Sequence, residues 1–124
     1  MTDGKPTIAE LGIVVDDLDP DDLDGHPFGV IQLSESGRVL AYNAYEERLA
    51  KLRREDVVGK HFFFEVAPCT RVRAFYGRFI DGVAIGALDV TFGFVFPFPH
   101  GTREVEITMW RRDADATIWV LVRD

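Results

Sequence analysis

The stretch Leu88-Asp89-Val90-Thr91-Phe92-Gly93-Phe94-Val95-Phe96-Pro97-Phe98 places a large apolar residue at every second position. A period of two gathers those side chains on one face only in an extended strand, so the segment predicts a long β-strand with a heavily aromatic face. Such a face is ordinarily core, and it can equally be the wall of a pocket. Working toward the C-terminus, His100-Gly101 turns the chain. Val105, Ile107 and Met109 then alternate with Glu104, Glu106 and Thr108, and after Asp113–Ala116 the run Ile118–Val122 follows. Three antiparallel strands are expected there. Working back, Phe75, Phe79 and Val83 mark one face of a helix ending near Gly86, and Asn43 is placed to cap a helix reaching about Leu52. Phe28–Leu33 and Arg38–Tyr42 flank Ser34-Glu35-Ser36-Gly37, the composition of a hairpin loop. The order is two strands, helices, three strands. It predicts an α+β fold: a five-stranded antiparallel sheet with short helices gathered on one side, walling off a cavity suited to a small ligand.

The 124 residues are one domain's worth of chain, and 47% hydrophobic content with ten phenylalanines excludes a disordered or fibrous protein. A lone cysteine forms no internal disulfide and no Cys/His set stands at zinc spacing, which points to a reducing, cytoplasmic setting. The start, MTDGKPTIAE, has no basic leader followed by an apolar run, so neither a signal peptide nor a membrane association is expected. Residues 1–25 carry eight acids against Lys5 alone, which is the whole of the net charge of −7, while the remainder balances at 13 of each sign. That asymmetry argues against nucleic acid as a partner and marks residues 1–25 as an acidic N-terminal cap on a body of residues 26–124. Within the cap, Ile8, Leu11 and Val15 recur at helical spacing, and Asp19-Pro20 before Asp21–Gly25 reads as a short capped helix. An EF-hand reading of Asp17, Asp19 and Asp21 fails, because Asp22 and Phe28 stand where glycine and a bidentate glutamate are needed.

Few residues offer chemistry. Ser34 and Ser36 are the only serines and belong to no nucleophile elbow, and there is no phosphate-binding or dinucleotide fingerprint. His26, His61 and His100 are scattered. Cys69 lies in Val66-Ala67-Pro68-Cys69-Thr70, a loop of small residues, where a cysteine is either an inert apolar residue or a thiol that carries something. Tyr42 and Glu46 flank Asn43, and two placements of Glu46 exclude each other. It completes a capping box with Asn43 in solvent, or it turns into the cavity beside Tyr42, where a phenol and a neutral carboxylic acid both donate to one buried anion. Arg48, Lys51, Arg53 and Arg54, with Arg71 and Arg73, form the basic concentration of the chain; the first four suggest that the acidic cap docks partly by electrostatics.

Leu23-Asp24-Gly25, Phe28-Gly29, Ile31-Gln32-Leu33, Tyr42-Asn43-Ala44 with Glu46, Gly59-Lys60, Phe62-Phe63, Val66-Ala67-Pro68-Cys69-Thr70, Phe75-Tyr76-Gly77 and Trp119-Val120 run nearly the length of the chain. In these residues it resembles the photoactive yellow protein family, blue-light receptors of the PAS superfamily. The resemblance implies a PAS-like sheet under an N-terminal helical cap and a p-coumaric acid (4-hydroxycinnamic acid) chromophore held as a thioester by Cys69. It implies that Tyr42 and Glu46 hydrogen-bond the phenolate, and that Phe62, Val66, Ala67, Phe96, Ala50, Leu52 and His100 line or back the pocket. A phenol has a pKa near 10 that burial raises, so two donors are needed to favour the coloured anion. In the family, light isomerises the double bond and the phenolate gains a proton from the counterpart of Glu46; the resemblance thus implies that a carboxylate stranded in an apolar cavity loosens the cap.

Three positions depart from the family pattern. Ala50 replaces the usual threonine that hydrogen-bonds the tyrosine, Leu52 an arginine over the chromophore, and His100 a methionine against it. These changes bear on colour, gating and recovery. The resemblance implies a non-enzymatic photoreceptor, a monomer, signalling to a downstream protein that the residues do not identify. A PAS sensor binding another small ligand non-covalently, and a cysteine-dependent hydrolase or transferase, are the competing readings.

Overall fold

The structure, a computed structural model, describes residues 14–124; Ile8, Leu11 and the leading decapeptide lie outside it. Five strands form one antiparallel sheet: β1 (Gly29–Leu33), β2 (Val39–Tyr42), β3 (Asp89–Phe98), β4 (Gly101–Arg112) and β5 (Thr117–Arg123), in the order β2-β1-β5-β4-β3. The aromatic segment is β3, an edge strand paired with β4 from Asp89↔Trp110 to Phe98↔Gly101. The edge is where Pro97 is tolerated, since a proline breaks the ladder of an inner strand. The first hairpin and the C-terminal meander join through β1 and β5, with Ile31 opposite Val120.

Between them lie α1 (Ala44–Ala50), α2 (Arg54–Val57) and α3 (Arg78–Ile85). α1 starts where Asn43 accepts the Glu46 backbone N–H at 3.1 Å, and α3 ends at Gly86, whose φ of 72° suits glycine. α2 and the π-helical turn Phe62–Val66 were not expected from the sequence, and the helix expected from Phe75 onward opens as a second π-helical turn, Arg73–Gly77, before α3. The expected loop around Cys69 is in part a 3-10 turn, Pro68–Thr70, with proline at its start. Among the described residues, no helix is long and apolar enough to cross a membrane.

β1 and β5, in the inner part of the sheet, are buried on both faces. Side chains alternate along β5, so Ile118, Val120 and Val122 join Phe62, Phe63, Phe75 and Phe79 under the helices, while Trp119 and Leu121 join Val15, Leu18, Leu23 and Phe28 on the reverse side. Residues 14–25 of the acidic segment thus lie over the face opposite the helices. Its expected helix over 19–25 does not form. Asp19 Oδ1 accepts the Asp21 N–H at 2.9 Å and the Asp19 carbonyl accepts the Asp22 N–H at 2.9 Å, closing a single turn. Leu23 then leaves that turn to bury in the second core, and its carbonyl accepts from Asn43 Nδ2 at 3.0 Å. The regular secondary structure near this segment is instead a 3-10 turn, Val15–Asp17.

Candidate functional site

The helical side of the sheet holds a cavity of about 550 Å³. One wall is the upper end of β3, where Phe96 and Phe98 stack with centroids 5.1 Å apart. The same space is bordered by Tyr42 and Glu46, at the junction of β2 and α1, by Phe62 and Val66 of the first π-helical turn with Ala67 just after it, and by Cys69 from the 3-10 turn. Ala50, Lys51, Leu52 and His100 complete the lining. Every residue expected at the site therefore borders one space. Lys51, Pro68, Pro97, Phe98 and Pro99 border it too and were not expected at the pocket from the sequence; Phe98 carried the same alternation signal as Phe96.

Glu46 takes the inward placement, and the reason lies in Asn43. A capping box needs the Glu46 carboxyl to reach the Asn43 N–H, but that N–H already donates to the Val30 carbonyl at 3.1 Å. Asn43 Oδ1 accepts from the Glu46 N–H at 3.1 Å and the Val30 N–H at 3.0 Å, and Nδ2 donates to Leu23 and Phe28 carbonyls at 3.0 Å each. With the cap complete, the carboxyl has no backbone partner to hold it outside, and it points into the core side with the residue 5% exposed. Burial pushes the Glu46 carboxyl up to about 8, partly offset by a hydrogen bond from Tyr42. Oε1 is buried with no hydrogen-bond partner. Tyr42, 3% exposed, is itself pushed above the usual phenol range by burial first and by the neighbouring carboxyl second. Two neighbouring groups, both favoured in their protonated forms at neutral pH, face a cavity from one side.

Cys69 is a free thiol with surface exposure, and partial burial pushes its pKa up. His100 lines the cavity from the β3–β4 turn. Its ring stacks on Phe98 with centroids 5.0 Å apart, and Nε2 lies 3.0 Å from the Leu49 carbonyl, bridging the β3–β4 turn to the end of α1. Ala50 offers no side-chain hydroxyl to Tyr42, and Leu52 brings an apolar side chain, 38% exposed, to the rim. Of the basic cluster, Arg54 reaches the acidic segment: its guanidinium bridges Asp24 at 3.0 Å and Glu47 at 2.9 Å. Arg53 pairs with Glu55, and Arg48 lies over the Tyr45 ring.

Residues 23–124 match the family model described as PAS fold. The chain is 40% identical over 121 residues to the photoactive yellow protein of Rhodothalassium salexigens, covering 98% of this chain and 91% of that one. It is 42% identical over 102 residues to the photoactive yellow protein of Halochromatium salexigens, covering 82% of each. Among solved structures, the photoactive yellow protein domain of the sensor histidine kinase Ppr from Rhodospirillum centenum superposes with a TM-score of 0.83 at 42% identity, over 89% of this chain and 96% of that one.

Proposed function

The chain belongs to the photoactive yellow protein family of PAS domains, blue-light photoreceptors, and from that premise we propose that its pocket holds p-coumaric acid as a thioester of Cys69. The observation that carries this reading is a pair in the lining of the cavity: a buried Glu46 carboxyl with an unpartnered oxygen, beside a buried Tyr42 hydroxyl. An acid that stays protonated is a donor in search of an acceptor. A phenolate oxygen answers that need, and two donors favour its charged form against the cost of burial. Phe62, Phe96 and Phe98 supply an apolar slot for a flat ring.

When bound, the group supplies visible absorption and a light-driven trans-to-cis isomerisation. The chain's own residues do the rest. Tyr42 and Glu46 orient and polarise one end of the slot, and Cys69 anchors the other end covalently. His100 and Leu52 limit access at the mouth. Glu46 holds a transferable proton at its carboxyl; once that proton is gone, a carboxylate remains at a buried position, a costly state. Asn43 ties the Glu46 backbone directly to the Leu23 carbonyl, so displacement of α1 is felt at the acidic segment. Release of that segment is the proposed signal, received by a downstream protein, with the domain acting as a non-enzymatic, cytoplasmic monomer.

The test is reconstitution with an activated ester of p-coumaric acid. The Cys69 sulfur forms the acyl bond, the activating group leaves with the electron pair, and the thiol proton passes to solvent. Because the thiol pKa is raised, uptake is expected to quicken as pH increases. A yellow protein heavier by one coumaroyl group, with both changes lost in Cys69→Ala, is the expected result. A colourless, unmodified wild type returns the domain to PAS sensors that bind a ligand non-covalently.

A further inference from the structure

β1 opens at Gly29, directly beside the Glu46 side chain. A β-carbon built at position 29 stands 2.7 Å from Glu46 Cδ and 2.8 Å from Cγ, and overlaps Oε1. Non-bonded carbons settle at about 3.5–4.0 Å, so even alanine does not fit while the carboxyl stays where it is. Nothing in the backbone asks for glycine here. Gly29 is not among the glycines with positive φ, and it pairs with Val122 as an ordinary strand residue.

Neither backbone is free to back away. Asn43 holds the strand on both sides of Gly29, donating to the Phe28 carbonyl and accepting the Val30 N–H, each at 3.0 Å, while its own N–H donates to the Val30 carbonyl at 3.1 Å. The same Asn43 accepts the Glu46 N–H. One side chain thus clamps the two segments that would have to separate. The yielding part is the Glu46 side chain from Cγ outward.

We infer that Gly29 is a positioning residue whose missing side chain seats the Glu46 carboxyl in its buried site beside β1, and so sets how strongly the pocket favours a bound phenolate. The second half of this statement rests on the chromophore reading above. The first half does not, and the experiment separates them.

Three variants are compared with wild type: Gly29→Ala, Glu46→Ala and the double variant. In protein without chromophore, the carboxylic acid C=O band absent from Glu46→Ala is titrated by infrared spectroscopy, and unfolding is followed in urea. Gly29→Ala is expected to lower the band's midpoint by at least one pH unit, because the displaced carboxyl is better hydrated. It is also expected to lower the urea midpoint, and to lose that effect in the Glu46→Ala background, where the space is vacant. After reconstitution, Gly29→Ala is expected to raise the pH at which the phenolate colour is lost by at least one unit, again only while Glu46 is present. An unchanged infrared midpoint overturns the inference, as does a Gly29→Ala effect of equal size in the Glu46→Ala background. If Gly29→Ala does not fold, a folded double variant upholds the clash, and an unfolded double variant beside a folded Glu46→Ala overturns it. If wild type takes up no chromophore, the functional reading fails while the infrared and urea results still decide the role of Gly29.

Discussion

At the scale of single residues, Glu46 makes the folded state sensitive to pH in a window that its environment defines. Its carboxyl titrates at about 8 when folded against an ordinary 4.5. Below 4.5 both states are protonated and the stability associated with this group is fully present. Between the two values the folded protein keeps a proton that the unfolded chain has released, so raising the pH favours unfolding, by up to about 1.4 kcal/mol for each pH unit. In urea unfolding of the chromophore-free protein from pH 5 to 8, wild type is expected to lose stability by this extra slope and Glu46→Gln to lack it. Equal slopes would mean that the carboxyl is hydrated in solution. The residue types Tyr42, Asn43 and Glu46 were legible as a group in the sequence, and so was the choice facing Glu46. Its outcome was not, because the competing partner of the Asn43 N–H is the Val30 carbonyl, thirteen residues earlier and brought close only by the hairpin.

At the scale of elements, the period-two pattern of β3 and β4 and the Asn43 cap of α1 were readable because each depends on neighbours a few residues away. α2, four residues long, and the π-helical turns at Phe62–Val66 and Arg73–Gly77 were not. A π-helical turn closes i→i+5 hydrogen bonds, as Val66 N–H does to the His61 carbonyl at 3.2 Å and Ala67 N–H to the Phe62 carbonyl at 2.8 Å, and one such turn is too short to print a period. His100 shows how a turn residue can join elements far apart in sequence. Replacing it with alanine removes both its bond to the Leu49 carbonyl and its stacking on Phe98. We expect His100→Ala to cost about 1 kcal/mol and to speed amide hydrogen exchange at the end of α1 and in the β3–β4 turn, leaving β1 and β5 protected. Unchanged exchange at those two places would show that the mouth is closed by other contacts.

At the scale of the whole molecule, the acidic segment is held by an apolar core and a buried arginine more than by its charge. Arg112 donates to the Leu18 carbonyl at 2.6 Å, lies over the Trp119 ring at 4.6 Å and pairs with Asp115 at 2.7 Å. The Arg54–Asp24 pair is exposed by comparison, and pairs of that kind contribute about 0–1 kcal/mol. Loss of a buried, charge-assisted hydrogen bond costs about 1.5–3 kcal/mol. Arg112→Ala is therefore expected to expose residues 14–25 to proteolysis far more than Arg54→Ala, with little added effect of salt in the dark. If Arg54→Ala opens the segment as much, or if high salt alone does, the docking is chiefly a surface electrostatic one, a larger share than the partial one that the basic residues at 48–54 suggest.

Landmarks such as Tyr42-Asn43-Ala44-x-Glu46 and Val66-Ala67-Pro68-Cys69-Thr70 pointed to the family and to Tyr42, Glu46 and Cys69, and the alternation of Leu88–Phe98 gave the strand that walls the pocket. Those are properties of residue type and short spacing. The face on which the acidic segment lies was decided by tertiary structure. Its sequence trace was the uninterrupted apolar run Ile118–Val122, which is buried on both sides of the sheet, but a run of that kind says that two faces are covered without saying by what. Tertiary structure likewise turned Asp19–Gly25 from a short helix into a turn, because Leu23 gains more from burial beside Trp119 and from the Asn43 bond than from a helical hydrogen bond. It also made Gly29 and Glu46 neighbours. Hydrogen bonds and burial that join residues distant in the chain have no local spacing to read, and in this protein they decide where the carboxyl points.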